Sequence, residues 1–227
     1  MSPRLEVVAD EKAAARRGAE LIAAAGEAAV ADRNIFSAAM SGGRTPWAML
    51  AMLSDTEQMP WPNTELFQVD ERIAAPGSED RNLTHLILGL SLDHQSSLRP
   101  MPVTQRDLDA AAREYESSLP ERIDLVHLGL GPDGHTASLI PGDPVLDVTD
   151  RRVAVTEDAY QDHRRMTLTY PALAEAGRIL WLVTGEKKRE ALAKLLAGDR
   201  SIPAGRVEND EMIVVADEAA AGDLSQR

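Results

Sequence analysis

The chain of 227 residues contains no cysteine. This absence excludes disulfide bonds, thiolate nucleophiles and thiolate metal ligands together, and it fits a reducing compartment. Long apolar runs are also missing: no uncharged stretch approaches the roughly 20 residues of a membrane-spanning helix, and the N-terminus lacks the apolar core of a signal peptide. We therefore expect a cytoplasmic protein that has no membrane partner.

Positive charge is the next scarce feature. Lys and Arg number 24 against 37 Asp and Glu, which leaves a formal charge of −13. A surface this acidic argues against nucleic acid and anionic membranes as partners. If the protein binds a small anion, the required positive charge must be gathered locally, so basic residues beside loops become informative.

Apolar residues make up 44% of the chain, enough for a substantial core. Strand-like and helix-like segments alternate without a low-complexity linker or a repeat, which predicts one α/β domain over 1–227, with a parallel sheet covered on both faces. Monomer and homodimer both stay open. The predicted strands are 5–9, 34–40, 65–69, 123–128, 152–155, 166–169, 178–183 and 211–216. The predicted helices are 11–31, 47–53, 82–92, 107–119, one from 171, one ending at 197, and 217–220.

Four of these strands end in unusually polar loops, at 41–46, 70–72, 129–142 and 184–188. The carboxyl ends of parallel strands lie on one edge of a sheet, where open α/β folds bind their ligands. We therefore expect these four loops to converge on one site.

His135 is the best candidate for a catalytic group. An imidazole can be neutral near pH 7 and can take a proton from water, and Asp133, two residues earlier, could orient the ring. The alternative is that Asp133 and Gly134 form an ordinary Asx turn and that His135 is a polar loop residue. The flanking glycines and the preceding strand favour the catalytic interpretation.

The loop at 41–46 leads into a predicted helix. Gly42 and Gly43 permit close backbone approach to a phosphate, and Arg44 could add charge at the helix N-terminus. The alternative is a plain strand-to-helix turn, with Thr45 as the cap and Pro46 in the first turn.

Three further cations stand near strand ends. Arg72 follows two acids, Arg165 follows another arginine, and Lys188 lies at a helix start, where a cation is unfavourable unless an anion offsets the dipole. Each could instead reach into solvent. The remaining histidines show no metal-ligand spacing, so no metal site is expected. No Gly-x-Ser-x-Gly elbow occurs, so a serine hydrolase of that design is not supported.

The motifs together resemble the 6-phosphogluconolactonase family, within the larger group of glucosamine-6-phosphate deaminase-like sugar-phosphate enzymes. The resemblance covers nearly the whole chain, and its most specific part is Gly129 to Gly142. The other matching segments are Ser41-Gly42-Gly43-Arg44-Thr45-Pro46, Asp70-Glu71-Arg72 with Asn82, Arg165-Met166-Thr167, Thr184-Gly185 with Lys188, and Asp217-Glu218-Ala219-Ala220.

This resemblance implies a Rossmann-like α/β/α sandwich and hydrolysis of 6-phosphoglucono-1,5-lactone in the oxidative pentose phosphate pathway, without metal or cofactor. The resemblance also implies that His135 activates water and that Asp133 orients the imidazole of His135. It also implies that the phosphate or the developing oxyanion is held by Arg72, Arg165 and Lys188, with Gly42, Gly43 and Arg44 lining the phosphate end.

Two alternatives stay open at this point. A glucosamine-6-phosphate deaminase on the same scaffold would carry Phe-Asn-Glu-Pro where this chain has Ser138-Leu139-Ile140-Pro141, and a tyrosine at the position of Arg72; both departures favour the lactonase. A non-catalytic sugar-phosphate sensor would need a DNA-binding segment, which we do not expect in an acidic chain whose first predicted strand starts at Leu5.

Overall fold

A computed structural model describes residues 3–226 of the protein. The strands are β1 Arg4–Val8, β2 Phe36–Met40, β3 Thr64–Gln68, β4 Asp70–Arg72, β5 Leu98–Arg99, β6 Leu125–Gly129, β7 Val153–Val155, β8 Arg165–Leu168, β9 Ile179–Val183 and β10 Met212–Asp217. The helices are α1 Glu11–Arg33, α2 Arg44–Ser54, α3 Asn82–Gly89, α4 Leu108–Ser118, α5 Tyr170–Glu175, α6 Arg189–Leu196 and α7 Glu218–Ala221.

The central layer is a seven-stranded sheet in the order β1-β10-β9-β6-β2-β3-β5, and all its pairs are parallel. Side chains alternate between its faces, as β9 illustrates: Leu180 and Leu182 pack on one side, and Trp181 packs on the other. Helices α1, α2 and α3 cover the first face, and α4, α5, α6 and α7 cover the second. The predicted α/β/α sandwich is confirmed.

The strand order reverses direction between β2 and β6. From β2 the chain adds β3 and β5 on one side, whereas from β6 it adds β9 and β10 on the other. The loops that leave β2 and β6 therefore diverge and open a crevice at the carboxyl edge of the sheet. Such a switch point is where ligands bind in open α/β sheets.

The structure corrects one prediction about the segment 70–72. Asp70 to Arg72 form the strand β4 instead of a loop, and β4 pairs antiparallel with β8 in a small second sheet of order β4-β8-β7. The pairing places Arg72 opposite Arg165. Three polar residues show no apolar periodicity, so no local pattern indicates a strand whose partner lies about 95 positions away.

The predicted cap of α2 is also wrong. The helix begins at Arg44 with Gly43 as its N-cap, at a φ of 123°, and no side chain caps it. Thr45 is instead buried inside the first turn, where its hydroxyl donates to Glu11 at 2.7 Å. The first amides of α2 are thus left facing the crevice without a side-chain partner. Among the described residues, no helix combines the length and apolarity that crossing a bilayer requires.

Candidate active site

The crevice at the switch point is a cleft of about 320 Å³. Seven of the eight residues that the sequence singled out line it: Gly42, Gly43, Arg44, Arg72, His135, Arg165 and Lys188. The eighth, Asp133, lies behind His135 and contacts its ring. All four polar strand ends therefore meet at one site, as their positions predict.

His135 and Asp133 form a hydrogen-bonded pair. The Nδ1 atom of His135 lies 2.5 Å from Oδ1 of Asp133, and the imidazole is one-fifth exposed. A carboxylate accepts a hydrogen bond, so Nδ1 carries the proton and Nε2 keeps its lone pair. This is the tautomer that a general base needs, with the free nitrogen able to reach a water molecule.

Asp133 makes the contacts that both interpretations describe. Its Oδ1 accepts the backbone N–H of His135 at 3.2 Å, which is an Asx turn, and the same carboxylate contacts the imidazole ring. Its other oxygen accepts the hydroxyl of Tyr160 at 3.1 Å. Burial alone would raise the pKa of Asp133, but the charge of His135 in its protonated form and the hydrogen bonds from His135 and Tyr160 outweigh it, so that this pKa is lowered.

The loop that carries this pair is tightly folded. The N–H of Gly131 donates to the carbonyl of His135 at 2.8 Å, and the N–H of Gly134 donates to the carbonyl of Gly131 at 3.0 Å. Gly134 has a φ of 81°, which a residue without a side chain adopts freely, and a Cβ there would meet Ile202. The glycines thus serve the geometry of the loop.

Arg165 is the most buried cation of the cleft, with 3% of its surface exposed. One of its Nη atoms donates to the carbonyl of Tyr160 at 3.0 Å and to Oε1 of Gln161 at 3.2 Å. The other lies 4.0 Å from Asp70. Burial lowers the pKa of Arg165, and the charge of Asp70 opposes this effect. A guanidinium remains charged under these conditions.

Two adjacent pairs of basic residues, Arg164–Arg165 and Lys187–Lys188, are divided between cleft and solvent. Arg164 and Lys187 are exposed, whereas Arg165 and Lys188 line the cleft. Burial lowers the pKa of Lys188, and Asp133 opposes this shift through its charge. The third cation, Arg72, donates from Nη1 to the carbonyl of Asp80 at 2.6 Å, which holds its guanidinium at the rim.

Sequence reasoning missed a buried acid in the cleft wall. Asp70 is 5% exposed and accepts the hydroxyl of Ser138 at 2.6 Å and the amide of Asn82 at 3.2 Å. Asn82 also packs against Gly42 so closely that a Cβ on Gly42 would collide with it. In the sequence, Asp70 and Glu71 stand out only as two acids before Arg72, and no local pattern indicates that Asp70 is buried.

The neighbouring acid, Glu71, is fully buried and shapes the wall from behind. Its carboxylate accepts from the backbone N–H groups of Arg72, Asn82 and Leu83, at 2.8, 2.8 and 2.9 Å. It also forms an ion pair with Arg81 at 3.3 Å. Glu71 thereby holds the first turn of α3 against β4, which seats Asn82 beside the cleft.

The cleft gathers positive charge on an acidic protein. Four cations line it, Arg44, Arg72, Arg165 and Lys188, against two acids, Glu11 and Asp70. A wider concavity of about 960 Å³ lies at the opposite edge of the sheet, around Trp61 and His94, but acids predominate there. We assign the anion site to the smaller cleft because charge and the switch point coincide in it. Among the described residues, no group of three or more His, Asp or Glu side chains is arranged to hold a metal ion.

The fold and the site together define an α/β protein that is built to act on a small anionic molecule at the carboxyl edge of its sheet. The chain belongs to the family of glucosamine-6-phosphate isomerases and 6-phosphogluconolactonases, whose sequence model matches residues 9–215. The resemblance drawn from the motifs is confirmed.

Individual relatives agree with this assignment. The 6-phosphogluconolactonase of Mycobacterium tuberculosis is 34% identical over 247 residues, which cover 99% of this chain and 99% of the relative. The enzyme of that name from Synechocystis is 30% identical over 242 residues, with the same coverage of both chains. The crystal structure of a 6-phosphogluconolactonase from Thermotoga maritima superposes with a TM-score of 0.83 at 25% identity, over 94% of this chain and 98% of that one.

Proposed function

We propose that this protein is a 6-phosphogluconolactonase, which hydrolyses 6-phospho-D-glucono-1,5-lactone to 6-phospho-D-gluconate in the oxidative branch of the pentose phosphate pathway. The observation that carries the proposal is the His135–Asp133 pair, with the free Nε2 of His135 at a cleft lined by four cations. The relatives that match over their full length bear the name of this enzyme.

In the proposed mechanism, Nε2 of His135 takes a proton from water as the water oxygen attacks the lactone carbonyl. The carbonyl π electrons move onto oxygen, and the resulting oxyanion is stabilised by a cation of the cleft. When the intermediate collapses, the bond from the carbonyl carbon to the ring oxygen breaks. The imidazolium returns its proton to that oxygen, and the product is an open-chain acid that is ionised at neutral pH.

The remaining positive charge holds the phosphate. The uncapped amides at the start of α2, beside Gly42 and Gly43, favour a phosphate, and Arg44 stands at the rim of the same turn. Arg72, Arg165 and Lys188 are divided between phosphate and oxyanion. A lactone is an activated ester, so one base and a few oriented cations supply the modest barrier reduction that it needs.

The deaminase of the same family is the nearest competing activity. This chain has Ser138 and Leu139 in the segment after His135, and Ser138 is fully buried with its hydroxyl on Asp70. No carboxylate therefore enters the cleft from that segment, and Arg72 occupies the position at which a deaminase carries tyrosine. Both features support the lactonase.

The experiment follows the loss of freshly generated 6-phosphogluconolactone by coupled assay, with glucosamine 6-phosphate run beside it for ammonia release. We expect accelerated lactone loss and no ammonia. Ammonia release without accelerated lactone loss would reverse the assignment. Three further points stay predictions: one functional domain over 1–227, a cytoplasmic location, and a monomeric or homodimeric state.

A further inference from the structure

Tyr160, which no motif singled out, touches three of the groups placed in the cleft. Its hydroxyl donates to Oδ2 of Asp133 at 3.1 Å. Its ring meets the imidazole of His135 edge to face, with 5.2 Å between the centroids. The guanidinium carbon of Arg165 lies over the same ring, 5.2 Å from its centroid.

The backbone around Tyr160 holds Arg165 as well. The carbonyl of Tyr160 and Oε1 of Gln161 both accept from an Nη atom of Arg165. These residues form a two-residue hairpin turn, in which Tyr160 and His163 bond to each other through N–H and carbonyl groups. Gln161 and Asp162 have φ values of 51° and 68°, a left-handed conformation that residues with side chains rarely adopt.

We infer that Tyr160 is a positioning residue that connects the His135–Asp133 pair with Arg165. Its hydroxyl fixes the carboxylate of Asp133, and its ring and carbonyl fix Arg165. The inference rests on the proposed lactonase function for its readout. One oxygen of Asp133 is bonded to His135 and the other to Tyr160, so the carboxylate cannot rotate away from Nδ1 without breaking a hydrogen bond.

A space-filling role does not account for these contacts. Tyr160 is half-buried and lies outside both apolar clusters of the core, yet its ring meets His135 and Arg165, its hydroxyl meets Asp133, and its carbonyl meets Arg165. Burial and the charge of Asp133 raise the pKa of its hydroxyl, so that it remains a donor at neutral pH. The hydroxyl faces Nδ1 of His135 at 3.5 Å, not the nitrogen that meets water, so it does not take part in proton transfer itself.

The test separates the hydroxyl from the ring. Tyr160→Phe keeps the ring and removes the hydroxyl, with its hydrogen bond to Asp133 and its longer contact to His135. We expect kcat to fall about tenfold, as for the loss of a hydrogen bond to a charged group, with KM within twofold. Tyr160→Leu removes the ring under Arg165 as well, and we expect KM to rise about fivefold in addition, since a cation over an aromatic face is lost. Because the phenyl ring distinguishes the two variants, Tyr160→Phe should keep the KM that Tyr160→Leu loses, whereas kcat should be low in both.

Tyr170 is the matched control. Its hydroxyl donates to the carbonyl of Pro203 at 2.9 Å, and Arg206 lies over its ring at 5.0 Å, away from the cleft. We expect Tyr170→Phe to leave both kcat and KM unchanged. Wild-type protein without lactonase activity would overturn the proposed function. If the wild type is active and Tyr160→Phe has unchanged kcat and KM, the positioning role alone is overturned. The same holds if the losses of activity in Tyr160→Phe and Tyr170→Phe merely follow their losses in melting temperature.

Discussion

Gly131 lies directly against the imidazole of His135, which leaves no room for a side chain between them. A Cβ on Gly131 would collide with Nδ1 of His135 and with Oδ1 of Asp133, at the hydrogen bond that sets the tautomer of the ring. A backbone hydrogen bond of 2.8 Å, from the N–H of Gly131 to the carbonyl of His135, also connects these two residues. The glycine is therefore required by the hydrogen-bonded His135–Asp133 pair itself.

Gly131→Ala should displace that pair and lower kcat about 10²-fold, because a shift of about 1 Å in a catalytic group costs that much. Steady-state lactone hydrolysis measures it. Gly89→Ala is the control, since a Cβ at Gly89 makes only ordinary contacts with Leu50 and Trp47. Comparable activity in the two variants would show that the loop adapts and that the contact is not required.

His135→Ala should lower kcat by about 10²- to 10⁴-fold with little change in melting temperature, because it removes the base from a partly exposed loop position. The measurements are lactone turnover, corrected for spontaneous hydrolysis, and thermal unfolding. His94→Ala, at the opposite edge of the sheet, should keep wild-type kcat. Near-wild-type turnover of His135→Ala would refute its assignment as the base.

Glu71→Gln should destabilise the protein by about 3–5 kcal/mol, since it leaves the guanidinium of Arg81 buried without its counter-charge. Denaturant unfolding gives the free energy. Glu65→Gln breaks the exposed pair between Glu65 and Arg99 and should cost at most about 1 kcal/mol. Equal losses in the two variants would contradict the structural role of Glu71.

His127 should make the stability depend on pH. It is fully buried on β6, where desolvation lowers its pKa from 6.5 to about 3. Between these values the unfolded chain binds a proton that the native protein does not, so the stability that His127 contributes is present above pH 6.5 and is lost as the pH falls. The slope is up to about 1.4 kcal/mol per pH unit.

Urea unfolding tests the pH dependence assigned to His127. The free energy of unfolding is measured from pH 7 to pH 5 in the wild type and in His127→Gln. Titrating groups that are common to both proteins cancel in the difference. The stability of the variant should therefore depend less steeply on pH than that of the wild type, by up to about 1.4 kcal/mol per pH unit. Parallel pH profiles in the two proteins would mean that His127 titrates alike in the native and unfolded states.

Much of the sheet follows from local patterns. The run 179–183 is apolar because β9 is covered on both faces, so the predicted strand 178–183 and the observed strand differ by a single residue. The helix from 107 to 119 agrees equally well, because Asp107 caps it and Pro120 follows its end. The glycines at 129–142 and the basic residues beside strand ends likewise located the cleft, since parallel strands bring such loops to one edge.

The sequence alone therefore determined the α/β class and the convergence of four polar strand ends, and it singled out His135 as the candidate base, because these depend on periodicity and on residue type. Only the tertiary structure decided that Asp70 is buried in the wall of the cleft and that Tyr160 stands between Asp133 and Arg165. These relationships depend on β4 pairing with β8 and on a hairpin turn that lacks glycine. Residues up to about 95 positions apart meet there, and nothing in the local sequence of either partner records the contact.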